Sequence, residues 1–139
     1  MIILDTNVVS ELMRPAPTPA VARWADGLDR SIIFSTSIST YEIEYGIARL
    51  PASQKKDFLV ATWAAVLADY IGDRILSLDR PSALRAAHIR AQQLAAGENC
   101  DICDVFISGI ASHHGAAVAT RNVHHFINAG LNVINPWDL

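Results

Sequence analysis

Short apolar runs alternate with amphipathic stretches along this chain, and proline or glycine stands at many of the joins. Met1–Leu4 is an unbroken apolar run that stops at Asp5-Thr6-Asn7. That pattern predicts a buried strand running into a helix start, with Asp5 or Thr6 as the cap. Val8 to Leu12 continues as a short helix, ended by Arg14-Pro15-Ala16-Pro17. Pro19 sits at the first turn of a second helix reaching Leu28, with Val21, Trp24 and Leu28 on one stripe. Ile32-Ile33-Phe34 is β-branched and aromatic, and reads as a second strand. Ser37 or Ser39 then caps a helix that runs to Leu50, before Pro51.

In the second half the spacing is helical from Ser53 to Tyr70, where Phe58, Leu59, Thr62, Trp63, Val66 and Leu67 recur. Arg74 to Leu78 reads as a short strand or an extended link. Pro81 opens a helix over Ser82 to Ala96 that Gly97 ends, and Asp101 starts another that Gly115 closes after His114. Ala116 to Thr120 is a strand, and Val133-Ile134 a last short one. Strands alternating with helices predict a three-layer α/β/α fold with a small, mostly parallel sheet, in a single domain over residues 1–139. Ligands of such sheets gather beyond the carboxyl ends of the strands. Asp5 and Thr120 to Asn122 therefore fall at one edge.

Composition narrows the class. At 139 residues, 51% hydrophobic and with a net charge of −3, the chain supports one core and is neither disordered nor of low complexity. No apolar run approaches the ~18–20 residues of a membrane span. The first residues lack a basic stretch and a cleavage site, and two cysteines do not make a disulfide scaffold, so a cytoplasmic protein is expected. A pI near 5.9 argues against nonspecific duplex binding through a large basic face. It leaves a nucleic-acid enzyme open, because 11 basic residues suffice to line one groove.

Three acidic positions carry the candidate chemistry. Asp5 ends the first strand, where the bland reading is a helix N-cap. Glu42 shares a helical stripe with Ile38, Tyr41, Tyr45 and Arg49, while Glu44 points elsewhere; periodicity does not decide which of the two turns inward. Asp104 lies on one helix face with Asp101 and Ser108, and an acid in a first turn is also favoured by the helix dipole. If Asp5, Glu42 and Asp104 converge, each like-charge pair at ~4 Å costs roughly 4 kcal/mol at an effective dielectric of 20. Such a cluster calls for a cation or a raised pKa. Carboxylate oxygens suit Mg²⁺ or Mn²⁺, which activate water and steady a phosphoryl transition state.

Taken in order, the motifs resemble those of PIN-domain ribonucleases. Leu4-Asp5-Thr6-Asn7 with Ser10-Glu11 looks like their opening motif, Glu42-Ile43 with Gly46-Ile47 their second, and Asp104 with Ile107 and Ala111 their third. Ala119-Thr120-Arg121-Asn122-Val123 and Val133-Ile134-Asn135-Pro136-Trp137 resemble the end of the VapC/FitB-like toxin branch. The resemblance implies an Mg²⁺- or Mn²⁺-dependent endoribonuclease of a type II toxin–antitoxin pair. It implies Asp5, Glu42 and Asp104 as the metal-site acids, and so selects Glu42 over Glu44. Thr6 and Asn122 would shape the site by hydrogen bonds, and Arg121, more weakly Arg14, would contact phosphate. A homodimer, a cognate antitoxin blocking the groove, and DNA binding only through that antitoxin are implied as well. Asn122 stands where many PIN domains carry a fourth acid, so one firmly held ion is expected.

Two features stay outside that set. Cys100 and Cys103 have C-x-x-C spacing without a redox-type context, and pairing them with His113-His114 or His124-His125 as zinc ligands is a match common by chance. Cys103 is read as core-facing, and the histidines as helix-end and loop residues, with His125 near enough to the acidic edge to meet a phosphate. Rival readings are a non-catalytic binding module on the same fold and a receiver-like signalling domain. The latter needs a lysine near the last strands, and Lys55 and Lys56, the only two, lie on a helix.

Overall fold

The computed structural model describes residues 1–139. Five strands form an all-parallel sheet in the order β3-β2-β1-β4-β5. They are β1 (Ile2–Leu4), β2 (Ile33–Thr36), β3 (Ile75–Leu76), β4 (Ala117–Ala119) and β5 (Val133–Ile134). The first strand is thus central, with Ile2 opposite both Ile33 and Ala117. Side chains alternate across the sheet, and the two cores record it. Leu4, Ile33 and Ala119 join one cluster with Val8, Val9, Ile43 and Trp63. Ile3 and Val118 join the other with Ile107, Ile110 and Phe126.

The helices divide accordingly. The first cluster takes side chains from α1 (Thr6–Leu12), α2 (Pro19–Asp26), α3 (Ser37–Ala48) and α4 (Gln54–Val66). The second takes them from α6 (Ile102–His114) and α7 (Val123–Ile127), with α5 (Arg80–Ala95) laid along α6. That last contact depends on Gly109, where a Cβ would come within 2.5 Å of the Ser82 carbonyl oxygen and 2.6 Å of the Ala86 Cβ. The three-layer α/β/α expectation matches this arrangement.

Local boundaries differ where a cap decides them. Thr36, not Ser37 or Ser39, caps α3: β2 runs on to Thr36, whose hydroxyl oxygen accepts from the Ser39 N–H at 3.0 Å. Asp79 caps α5 in the same way, accepting from the Ser82 N–H at 3.0 Å, so that helix starts at Arg80. The helix expected to reach Tyr70 ends at Val66 and widens into a π turn over Leu67–Ile71, closed by Gly72 at φ 58°. Helix α7 has no counterpart in the sequence pattern. Its five residues are too few for periodicity, and the fully buried Phe126 pins it to the sheet, so His124 and His125 lie on a helix instead of a loop.

Candidate acidic site

The carboxyl ends of β1 and β4 lie side by side, and Asp5 is the first residue beyond β1. Its carboxylate answers both readings of the sequence at once. Oδ1 caps α1 by accepting the Thr6 N–H at 2.8 Å. Oδ2 accepts the Thr120 hydroxyl at 2.7 Å and the Asn7 side-chain amide at 3.1 Å. The residue is only 2% exposed. Burial pushes its pKa from 3.8 up to about 6; the Thr120 and Thr6 hydrogen bonds oppose the rise, and the charges of Asp104 and Glu42 add to it.

Glu42 comes in from α3. Its Oε1 accepts the Thr6 hydroxyl at 2.7 Å, and that hydroxyl also lies 3.1 Å from the Ser39 Oγ. Partial burial raises the Glu42 pKa, the Thr6 bond opposes the rise, and the charges of Asp101 and Asp104 add to it. Glu44 is exposed and accepts from the Trp63 indole N–H at 2.9 Å, away from this edge. The aromatic stripe beside Glu42 does not mark the interior: Tyr41 and Tyr45 are exposed and stacked on each other, centroids 5.9 Å apart.

Asp104 projects from the first turn of α6, and its Oδ2 contacts the His125 Nδ1 of α7. His125 therefore holds a carboxylate, where the sequence had offered it to a phosphate. Asp101 is the exposed N-cap of α6, accepting from the Cys103 N–H at 2.8 Å.

Asp5, Glu42 and Asp104 open on one cavity of about 520 Å³ whose wall contains no hydrophobic residue. Thr6, Asn7, Ser10 and Asn122 complete its polar wall, with Glu11 and Arg14 at one side. Asn122 is exposed, and its N–H donates to the Thr120 Oγ1 at 2.9 Å. Arg14 is in the wall, whereas Arg121 stands outside it with its guanidinium 5.2 Å from the Trp137 ring centroid. Glu11 serves the chain itself: nearly buried, it accepts both the N–H and the hydroxyl of Thr18 at 2.7 Å. Burial opposes its ionisation, but these bonds and Arg14 hold its pKa below the ordinary value.

Sequence reasoning left Asn7 out of the candidate set, gave His125 a phosphate where it meets the Asp104 carboxylate, and placed Thr120 only at the edge. Asn7 bonds Asp5 and Thr120 and accepts the Arg121 N–H at 3.2 Å, tying the start of α1 to the segment after β4. Its position two residues after a strand-end acid was the available signal. Cys103 is not core-facing. Both cysteines are unpaired and half-buried, and burial, with the charges of Glu42, Asp101, Asp104 and Asp5, pushes the Cys103 thiol up to about 11. Cys103 is in the first turn of α6 and His113 and His114 in its last, His125 is turned to Asp104, and the cysteines and histidines form no metal-binding group.

The acids themselves are not drawn into a ready-made ligand set, because each is turned to a partner of this chain: Thr120 and Asn7, Thr6, or His125. The donor chemistry nevertheless fits a hard divalent cation. The carboxylates offer oxygen only, the cavity is polar throughout, and Asp5, with its pKa raised chiefly by burial and further by Asp104 and Glu42, would have its charge stabilised by a cation.

Comparison with known proteins places this geometry in a lineage. The family model described as the PIN domain matches residues 2–130. VapC ribonuclease Y4jK of Sinorhizobium fredii is 33% identical over 138 residues, covering 99% of each chain. Toxin FitB of Neisseria gonorrhoeae is 35% identical over 137 residues, again 99% of each. The crystal structure of FitAcB from the same organism superposes with a TM-score of 0.90 at 35% identity, covering 100% of both chains.

Proposed function

The chain belongs to the PIN-domain family, and from that premise we propose that it is a divalent-metal-dependent endoribonuclease, the toxin of a toxin–antitoxin pair. The observation that carries the proposal is the convergence of Asp5, Glu42 and Asp104 on one polar cavity, with Asp5 raised to about 6 by burial and by its two acidic neighbours. The names VapC ribonuclease and toxin FitB, borne by relatives aligned along almost the whole chain, support the same activity.

Asp5 and Asp104 would hold Mg²⁺ or Mn²⁺, with Glu42 holding or orienting it. When bound, such an ion supplies an activated water and neutralises charge on the phosphoryl oxygens. The protein's part is to fix the acids. Thr120 and Asn7 hold the Asp5 Oδ2, and His125 holds the Asp104 Oδ2. Thr6 occupies the Glu42 Oε1, which leaves Oε2 to take a proton from the attacking water. Arg14 meets a phosphate at the cavity wall, and Arg121 one farther along the strand. Asn122 brings a neutral amide to the wall, so one ion is held firmly. In the cell the protein acts in the cytoplasm as a homodimer. A cognate antitoxin covers the cavity, and DNA is met only through it.

The test is cleavage of a defined RNA by the purified chain. Mg²⁺ or Mn²⁺ supports cleavage, EDTA abolishes it, and added metal restores it. Undiminished cleavage in EDTA overturns the metal dependence, and no cleavage with either metal overturns the activity.

A further inference from the structure

Next to the acidic cavity lies a second space of opposite character. It is a groove of about 450 Å³ walled by Met13 of the turn after α1, Ile43 and Ile47 of α3, and Phe58 and Leu59 of α4. Thr6, Ser10, Arg14 and Glu42 belong to both walls, so the two spaces adjoin. Arg14, Arg49 and Lys55 line the groove against one carboxylate, Glu42, whereas the acidic cavity has four carboxylates against Arg14 alone.

Gly46 is part of this groove's wall. It sits inside α3, where glycine weakens a helix relative to alanine. Gly109 is glycine because α5 presses on it, but a Cβ at Gly46 would meet nothing within 4 Å. No part of this chain needs position 46 bare. Phe58 is likewise left 41% exposed on the groove.

We propose that this groove is a nucleoside subsite, taking the base next to the phosphodiester bond that the acidic cavity holds. The inference rests on the ribonuclease reading above. A strand with one phosphate in the acidic cavity must lead its neighbouring nucleosides out past the cavity walls. Beyond the shared residues Thr6, Ser10, Arg14 and Glu42 lies apolar space that suits the face of a base, and Phe58 is the aromatic side chain there. Arg14, Arg49 and Lys55 line the same groove and match a polyanion in charge.

Gly46→Leu places a side chain in the groove and favours the helix, and its fold is checked by melting. Steady-state cleavage is read with an RNA that the wild type cuts, and with the same RNA made abasic on one or the other side of the cut bond. With the wild type, one abasic position raises KM about tenfold, the loss expected when one stacked base is removed. With Gly46→Leu the intact RNA already shows that higher KM, and the abasic change adds nothing further, because both remove the same contact. Mn²⁺ affinity by titration calorimetry stays at the wild-type value. Lys55→Gln, an exposed change, also raises KM and lowers the salt-dependence slope of binding by about 0.7. Should Gly46→Leu not fold, the abasic series and Lys55→Gln decide alone. Unchanged KM for Gly46→Leu, or abasic effects that simply add to it, overturns the subsite while leaving the ribonuclease intact. Loss of a protein partner with RNA kinetics unchanged assigns the groove to that partner instead. A wild type that cuts no RNA overturns the ribonuclease reading and the subsite with it.

Discussion

Asp5 is an acid whose charge the fold opposes, and that opposition has a measurable pH signature. Its pKa stands at about 6 in the folded chain against an ordinary 3.8. Between those values the folded protein keeps a proton that the unfolded chain has released. More protons are bound in the native state, so stability falls as pH rises through this window and the loss is complete above about 6. That rise in pKa amounts to about 3 kcal/mol on the native state at neutral pH. With Asp5 only 2% exposed, solvent screens little of it. Asp5→Asn isolates the effect. The amide keeps an oxygen for the Thr6 N–H but turns its NH₂ toward Thr120 and Asn7, a pH-independent cost of about 1–3 kcal/mol. Glu11, Asp29 and Asp79 have lowered pKa values and titrate with the opposite sign, losing stability as pH falls, but both proteins share them and they cancel in the difference. Urea unfolding in EDTA, from about pH 4 to about pH 7.5, gives the stability of wild type minus variant at each pH. That difference should fall by about 2 kcal/mol across the range, because at pH 4 the unfolded chain has already released part of its proton. A flat or rising difference refutes the account of Asp5.

Two further outcomes follow from the same site. Asp104→Asn removes a like charge from beside Asp5 and Glu42 and leaves an oxygen for His125, so the metal-free protein should unfold within about 1 kcal/mol of wild type or later, while cleavage falls a hundredfold or more; a large drop in melting temperature would make Asp104 a structural cap instead. Asn122→Asp adds a carboxylate to the cavity wall and should tighten a second Mn²⁺-binding event and lower the metal concentration for half-maximal cleavage without moving the cut; calorimetry showing two equally tight ions in the wild type would remove the one-ion assignment.

The order of elements was written into the chain, because burial leaves a periodic trace. The Met1–Leu4 run became the central strand, its residues parted between the two cores, and the helices around Ile43, Trp63 and Ile107 appeared where their spacing put them. The three acids were visible as types at strand and helix starts. Their relation to one another was not. Glu42 and Glu44 sit two residues apart on the same helix, and periodicity left the choice open; a hydroxyl on α1 and an indole on α4 decide it. His125 meets Asp104 across 21 residues because buried Phe126 anchors a helix too short to announce itself. Gly46 reads in sequence as a weak point in a helix and in space as the wall of an open groove, unlike Gly109, which is pressed by a neighbour. Local patterns record which way a residue faces, since burial repeats along an element. What it faces is set by packing between elements distant in the chain, and only the tertiary structure holds that.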